Sequence, residues 1–471
     1  MIDFSNKDVA ILGMGKSGLA LAKEISERGG NVFVSDTRSA EELQEAIAFL
    51  QEIGVDFEVG SHSDRLLQKD MIIISPGVSV HHPLLEKARE KGLKVLGEVE
   101  VAWQLSPVPF IAVTGTKGKS TTVTLIDRML GNRSILAGNI GTPLVSEVAH
   151  APANGFVVAE VSSFQLESVE YFQPKIAILT NVTPDHLDRH PNLQEYFAAK
   201  ARLFARMDRS DLAIFSDDDP QAVRMRKLLE DDNLPSWLTG YAKPKRDSLP
   251  QIMTFSVQHP VERGAWFSDG WLWYKNGDKA EKAIEWRGFA GLPGIHNIAN
   301  ALAALIVAKY LQINNDDIRE ALSVHKPLHY RMEEVHRLGK VRFINDSKAT
   351  NVSSVVSSLE SFKDEPLALI AGGKDKGFDF TPLGEAIVKY CQWLILIGEA
   401  ADRLEKTVRD CGEVEIIRAK SLQEAVEIGW SRLKDEGGVL LLSPACSSFD
   451  MFKNAEERGA LFSEYARSLG S

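Results

Sequence analysis

Short apolar runs separated by helix-period stretches recur from one end of the chain to the other. Val9 to Leu12 is followed by a glycine turn, by Leu19, Ala22 and Ile25 at helical spacing, and by a second run, Val32 to Val34, which together predict a βαβ unit. A further strand, Met71 to Ile74, stops at Ser75-Pro76-Gly77, and Val95 to Gly97 reads as the last strand of this segment. The pattern restarts with a strand at Phe110 to Val113 and a helix from Ser120 that Gly131 can cap. Phe156 to Val161 and Ile176 to Leu179 have the continuous apolar character of strands buried on both faces, and Gln194 to Phe204 reads as a helix. From Leu212 to Phe289 the signal changes to short strands, with a hairpin at Trp271 to Tyr274 and Asn276-Gly277, and a long amphipathic helix follows at Ile298 to Leu311. After Pro327 a third set of strands appears at Val341 to Ile344, Ala368 to Ile370, Leu394 to Ile397 and Val439 to Leu442, with helical stretches long enough for right-handed crossovers between them.

A chain of 471 residues is too long for one hydrophobic core. The expected fold class is α/β in three consecutive domains. Residues 1–97 form a Rossmann-like domain, 98–327 a central P-loop ATPase-like domain with a small antiparallel portion, and 328–471 a second Rossmann-like domain. In such sheets ligands bind at the carboxyl ends of the strands and in clefts.

Composition narrows the function classes. With 44% hydrophobic and 25% charged residues and no apolar run long enough for a bilayer, no membrane insertion is expected. Met1 to Ala10 lacks a basic segment followed by an apolar stretch, so a cytoplasmic protein is expected. A formal net charge of −11 without a local basic patch argues against a nucleic acid partner, and a monomer is expected. Cys391, Cys411 and Cys446 are odd in number and widely spaced, which suggests idle or buried thiols rather than disulfides or a zinc site.

The strongest local signal is Val113-Thr-Gly115-Thr116-Lys117-Gly118-Lys119-Ser120-Thr121, between a strand and a helix. Glycines let backbone N–H groups approach phosphate oxygens, the helix start favours an anion, Lys119 adds charge and the Ser120 hydroxyl can hold Mg²⁺. It is a shortened P-loop, because the strict pattern wants glycine at Val113. Glu160, ending a later strand, is the expected metal partner. A second glycine turn, Gly13-Met-Gly15-Lys16-Ser17-Gly18 with Asp36 after the next strand, matches the dinucleotide fingerprint and on its own points to an NAD-dependent dehydrogenase. The same turn holds any diphosphate, and a dehydrogenase has no use for a second phosphate loop. A nucleotide-linked substrate in the first domain and ATP in the second uses both loops. A P-loop switch ATPase is the third reading, although the guanine-reading Asn-Lys-x-Asp sequence is absent.

Gly115 to Thr121, Glu160-Val-Ser-Ser-Phe-Gln-Leu-Glu167, Asn181-Val-Thr-Pro-Asp-His186-Leu-Asp188, His296-Asn297-Ile-Ala-Asn300 and Asn345-Asp346-Ser-Lys348-Ala-Thr350-Asn351 occur in the order found in Mur ligases, and the chain resembles that family over essentially its full length. Gly138-Asn-Ile-Gly141, the segment at Asp346 and Ser443-Pro-Ala-Cys-Ser-Ser448 look like the branch that adds D-glutamate. The resemblance implies an ATP-dependent peptide synthase of cell wall biosynthesis. ATP phosphorylates the carboxylate of UDP-N-acetylmuramoyl-L-alanine, and D-glutamate displaces the phosphate. Another Mur-type ligase with a different acceptor is the alternative.

The same resemblance implies roles for individual residues. Lys119, Glu160, His186 and Lys200 carry catalysis; Ser120, Glu160, His186 and Lys200 surround two Mg²⁺ ions, with Lys200 carboxylated on its amine by CO₂. ATP is bound by Gly115, Thr116, Lys117, Gly118, Lys119, Ser120 and Thr121, by Asn297, and by Arg331 and Asp346; Asn297 is also placed to cap the long helix. Gly15, Lys16, Ser17, Thr37, Arg38, Ser75 and Gly77 match contacts to the UDP portion, and Asn139 and Gln165 match contacts in the cleft. For D-glutamate the matching residues are Lys348, Thr350, Lys376, Ser448 and Phe449, with Lys374 the neighbouring choice to Lys376. The family commonly carries an aromatic residue where this chain has Ala455.

Overall fold

The computed structural model describes residues 2–185, 189–232, 234, 248–326, 329–375 and 377–470. Three sheets follow one another along the chain. The first contains β1 (Asp8–Leu12), β2 (Asn31–Asp36), β3 (Asp56–Val59), β4 (Met71–Ile74) and β5 (Lys94–Gly97), all parallel, in the order β3-β2-β1-β4-β5. The order reverses between β1 and β4, and the glycine turn after β1 lies at that switch point. Gly18 is required there, because a Cβ on it would stand 1.8 Å from the Gly13 carbonyl oxygen.

The second sheet contains β6 (Phe110–Thr114), β7 (Ser134–Gly138), β8 (Phe156–Glu160), β9 (Ile176–Leu179), β10 (Leu212–Ser216), β11 (Gln251–Ser256), β12 (Gly264–Ser268), β13 (Trp271–Lys275) and β14 (Ala280–Glu285). Its order is β14-β13-β12-β11-β10-β9-β6-β8-β7, parallel from β7 to β12 and antiparallel through β12, β13 and β14, which is the small antiparallel portion expected. The third contains β15 (Glu333–Leu338), β16 (Val341–Asn345), β17 (Leu367–Gly372), β18 (Trp393–Ile397), β19 (Glu415–Arg418) and β20 (Gly438–Leu442), ordered β15-β16-β20-β17-β18-β19 with β15 antiparallel. The chain divides into two compact units: Met1–Phe289 with Ile295–His325, holding the first two sheets, and Ala290–Gly294 with Lys326–Ser471, holding the third.

The apolar runs that predicted strands are buried in the sheets, as β4 and β9 show with every residue inaccessible. Four strands carry no such run and escaped prediction: β3, β7, β15 and β19. Each is an edge strand with a largely half-exposed or exposed pattern, so its side chains had no reason to be continuously apolar. The stretch read as strands only also contains a helix, Pro220–Glu230, begun by an Asp219 side chain that accepts from the Ala222 N–H at 2.8 Å and by proline in its first turn. The helix expected at Ile298 runs from Ile295 to Tyr310, so Asn297 lies inside it and is not its cap. Nor is it amphipathic: Ala301 to Ala308 are all buried.

One buried carboxylate joins the first two sheets' surroundings. Glu100, on the helix Glu98–Leu105, accepts from the backbone N–H groups of Glu170, Tyr171 and Phe172 at 2.9, 3.0 and 3.1 Å, and its other oxygen accepts from Gln104 at 2.8 Å. Glu100→Ala strands three N–H donors and is expected to cost on the order of 3 kcal/mol, with Glu100→Gln milder because it keeps an oxygen acceptor. A shift of the urea midpoint measures it, and an unchanged midpoint would contradict this role.

Candidate active site

β6 delivers the turn Gly115 to Gly118, and the helix Lys119–Leu130 follows at once. Gly118 has φ 83°, and a Cβ there would lie 2.2 Å from Asn300 Oδ1, so both the backbone and its neighbour demand glycine. As N-cap it brings no side chain to the helix's first N–H groups, which with the helix dipole favour an anion. The loop is braced by residues following β9. The N–H groups of Thr116 and Lys117 donate to Asn181 O and Asn181 Oδ1, each at 2.9 Å. Asn181 Nδ2 and Thr180 Oγ1 donate to Lys117 O at 3.1 and 2.6 Å, and Thr183 N donates to Thr116 Oγ1 at 3.0 Å.

β8 ends in Glu160, a buried carboxylate. Ser120 Oγ donates to its Oε2 at 2.6 Å and Asn139 Nδ2 to its Oε1 at 2.7 Å. A hydroxyl and a carboxylate beside a phosphate loop make a hard-oxygen donor set that fits Mg²⁺, which usually takes one or two protein oxygens and completes its shell with phosphate and water. Among the described residues no group of three or more His, Cys, Asp or Glu side chains forms a larger cage.

Lys200 is 1% exposed. Its Nζ donates to Gly115 O at 2.9 Å and lies 4.3 Å from the centre of the Tyr196 ring, whose hydroxyl meets Thr116 Oγ1 at 3.2 Å. Lys119 Nζ donates to the same Gly115 oxygen and to Thr116 O, both at 2.9 Å. Burial, then the neighbouring Lys119 charge, push the Lys200 amine well below its usual range, although Asp185 and Glu160 pull the other way. Burial likewise raises the Tyr196 phenol, which stays protonated.

In the first sheet Asp36 accepts from Met14 N at 2.7 Å and from Arg38 Nε and Nη2 at 3.0 and 2.7 Å. Burial opposes its ionisation, but the Arg38 guanidinium and the two backbone donors outweigh it and hold the carboxyl at about 2. Lys16, Thr37 and Arg38 are exposed beside the glycine turn, Ser75 Oγ donates to Gly13 O at 3.2 Å, and Gly77 is exposed. Gln165 closes a capping box with Ser162, and its Nε2 lies 3.5 Å from the buried Glu98. Asn297 Oδ1 accepts from Asn300 at 3.1 Å, and Asn300 in turn accepts from Thr122 at 3.4 Å, on the helix that follows the phosphate loop.

In the second unit Asp346 faces inward, accepting from Ser358 and Ser443 hydroxyls at 2.7 and 2.8 Å, whereas Arg331 is exposed. Lys348 pairs with Glu456 at 2.8 Å and Lys374 with Glu399 at 2.7 Å. Thr350 is half-buried and Ser448 buried, while Phe449 is 72% exposed, unusual for a phenyl ring. His186 and Lys376 lie outside the described residues. Sequence reasoning passed over Arg458, fully buried, which donates to Ser347 Oγ, Ser347 O and Cys446 O at 3.0, 2.9 and 3.2 Å. It also passed over Arg189 and His190, which precede the helix that carries Lys200. The three cysteines form no disulfide, with Cys391 and Cys446 buried.

Comparison with known proteins accounts for these loops. Family models described as the Mur ligase MurD-like N-terminal domain, the Mur ligase middle domain and the Mur ligase glutamate ligase domain match residues 7–97, 113–308 and 330–446. The chain belongs to the Mur ligase family. More particularly, it is similar to the UDP-N-acetylmuramoylalanine–D-glutamate ligases of Koribacter versatilis, 37% identical over 99% of both chains, and of Geobacter sp. strain M21, 38% identical over 99% of both. That of Trichlorobacter lovleyi is 37% identical over 98% of both chains. In fold it resembles the UDP-N-acetylmuramate-alanine ligase MurC of Thermotoga maritima, at TM-score 0.59 and 18% identity over 98% of this chain and 100% of that one. MurF of Acinetobacter baumannii gives TM-score 0.59 and 14% identity over 98% and 91%. The enzyme is therefore a ligase and not an oxidoreductase.

Burial pushes the Asp346 carboxyl up to about 6, against about 4 in an unfolded chain, and the Ser358 and Ser443 hydroxyls only partly offset it. Its neutral form stabilises the fold below about pH 4, and that contribution is lost as pH rises through about 6. Asp346→Asn, which cannot ionise, is expected to lose less stability than the parent between those pH values in urea titrations. Parallel pH profiles would show that Asp346 is not the group responsible.

Proposed function

We propose that this chain is a cytoplasmic, ATP-dependent acid–amino-acid ligase that joins D-glutamate to UDP-N-acetylmuramoyl-L-alanine through an acyl phosphate, in peptidoglycan synthesis. The observation that carries the reading is the convergence of Lys119, Lys200 and the Ser120–Glu160 pair on one phosphate loop, in a chain similar over its full length to enzymes of that name. Among the described residues no helix is long and apolar enough to cross a membrane. A monomer is part of this reading.

The domain limits 1–97, 98–327 and 328–471 are part of this proposal, and the matched family segments fall inside them. The first range would bind the UDP portion through Gly15, Lys16, Ser17, Thr37, Arg38, Ser75 and Gly77. Asn139 and Gln165 would meet the muramoyl part. A carboxylate approaching a γ-phosphate is repelled by it, so the site must neutralise negative charge without reorganising. The N–H groups of Gly115 to Thr121 and the Lys119 ammonium are suited to that task. Mg²⁺, two ions in this reading, would add Lewis acidity and charge at Ser120, Glu160, His186 and a carboxylated Lys200. CO₂ requires the free electron pair of a neutral amine, and burial shifts Lys200 toward that form; the carbamate forms by N–C bond formation with loss of one proton. Asn297, Arg331 and Asp346 complete the ATP assignment.

D-glutamate carries two carboxylates, and Lys348, Lys376, Thr350 and Ser448 would supply cations and hydroxyls, with Phe449 as an apolar wall. Its amine attacks the acyl carbon, the C–N bond forms, and phosphate leaves with the bridging oxygen.

Phosphate release from ATP and Mg²⁺ with the UDP-linked substrate tests the reading directly. Release is expected with D-glutamate but not with L-glutamate, L-alanine, L-lysine or no acceptor; equal release without acceptor would overturn it. Lys119→Ala is expected to abolish that release. Lys200→Ala is expected to lose activity and to regain part of it with added short carboxylates that replace the carbamate, and failure of any carboxylate to restore activity would count against the modified lysine.

A further inference from the structure

The loop leading from β9 to the helix Leu193–Ala201 makes contacts at both of its described ends. Its beginning, Thr180 to Thr183, braces the phosphate loop through the hydrogen bonds given above. Its end carries Arg189. One guanidinium nitrogen of Arg189 donates to Gly77 O at 3.2 Å, and the other donates to Val78 O at 3.0 Å and to Glu167 Oε2 at 2.9 Å. The flat group lies 4.7 Å from the centre of the Phe164 ring. Glu167 turns its second oxygen toward His190 Nδ1 at 3.4 Å, and His190 Nε2 meets Ser163 Oγ at 2.9 Å. Arg189 is thus oriented from below by a carboxylate and from one face by a phenyl ring, and it spends its remaining donors on two carbonyls of the other sheet.

Those carbonyls belong to the turn that walls the first glycine loop. Val78 N donates to Ser75 O at 3.0 Å, Ser75 N to Leu12 O at 3.0 Å, and Ser75 Oγ to Gly13 O at 3.2 Å. A Cβ on Gly13 would lie 3.1 Å from Ser75 and 3.4 Å from Val78, so the turn already rests on the glycine loop with no slack. Any movement at Gly77 and Val78 is therefore passed to Gly13, where the diphosphate turn begins.

We propose that Arg189 is a positioning residue for the UDP-linked substrate: its guanidinium fork ties the Gly77–Val78 turn to Glu167, on the segment that follows β8 and Glu160, and so sets the spacing between the two phosphate-binding turns. The inference rests on the ligase reading above. It explains why the position needs arginine, since three acceptors are met by one rigid planar group that a lysine ammonium cannot reproduce.

The test compares wild type, Arg189→Lys, Arg189→Ala and Glu167→Gln in the phosphate-release assay, with KM measured separately for the UDP-linked substrate, ATP and D-glutamate, and a thermal melt of each variant. Arg189→Ala is expected to raise KM for the UDP-linked substrate about tenfold or more, the scale of losing charge-assisted hydrogen bonds, with KM for ATP and D-glutamate within about twofold. Arg189→Lys should recover part of the loss, and Glu167→Gln, which keeps the fork on both carbonyls, should show a smaller change of the same kind. An unchanged KM for the UDP-linked substrate, or equal rises for all three substrates in variants that melt normally, would overturn the proposal. If Arg189→Ala does not fold, the Arg189→Lys and Glu167→Gln pair decides by the same criterion. Wild-type protein with no release in the presence of UDP-N-acetylmuramoyl-L-alanine and D-glutamate would instead overturn the ligase reading itself.

Discussion

Two lysine side chains end on a single backbone oxygen, the carbonyl of Gly115, each at 2.9 Å. Two ammonium groups cannot share such a place in a buried site without one yielding, because their repulsion adds to the loss of solvation. Lys200, almost fully buried, is the one whose amine is pushed well below its usual range, by burial first and then by the neighbouring Lys119. Lys200 also stands over the Tyr196 ring, and the Asp185 and Glu160 charges nearby pull its amine the other way. Glycine is needed at 115 and 118 because a Cβ there would lie 1.9 Å from Thr180 Oγ1 and 2.2 Å from Asn300 Oδ1.

The rest of the second sheet serves that loop. Three of its strands lie side by side in the order β9-β6-β8, and their carboxyl ends supply the bracing residues Thr180 to Asp185, the loop itself and Glu160. Parallel strands bring groups distant in sequence to one edge without any long irregular segment, and burial of the strands on both faces keeps that edge rigid. The helix Ile295–Tyr310 presses Asn297 and Asn300 against the start of the helix Lys119–Leu130, so the loop is fixed from beneath as well as from the sides. In the first sheet Arg38 and the Met14 N–H satisfy Asp36 beside the glycine turn.

Central strands were legible in the sequence because burial on two faces writes itself as an apolar run. Edge strands were not, since Asp56 to Val59 and Glu333 to Leu338 face water on one side and carry charge there. The phosphate loop, Glu160 and Lys200 could be named from their motifs, but the depth of Lys200 and its shared carbonyl could not, because both depend on a strand crossing between β6 and the helix that bears it. Asn297 was read as a helix cap, whereas the helix already begins at Ile295. Arg458 and Arg189 escaped notice for one reason: an arginine buried against carbonyl oxygens leaves no pattern along the chain, only in three dimensions.

The central claim is that this loop makes a carboxylate into an acyl phosphate before an amine displaces it. Labelling the alanyl carboxylate of UDP-N-acetylmuramoyl-L-alanine with ¹⁸O and analysing the released phosphate by mass spectrometry tests that claim most directly. The account predicts one labelled oxygen in each phosphate formed; phosphate released without label, alongside amide product, would contradict it.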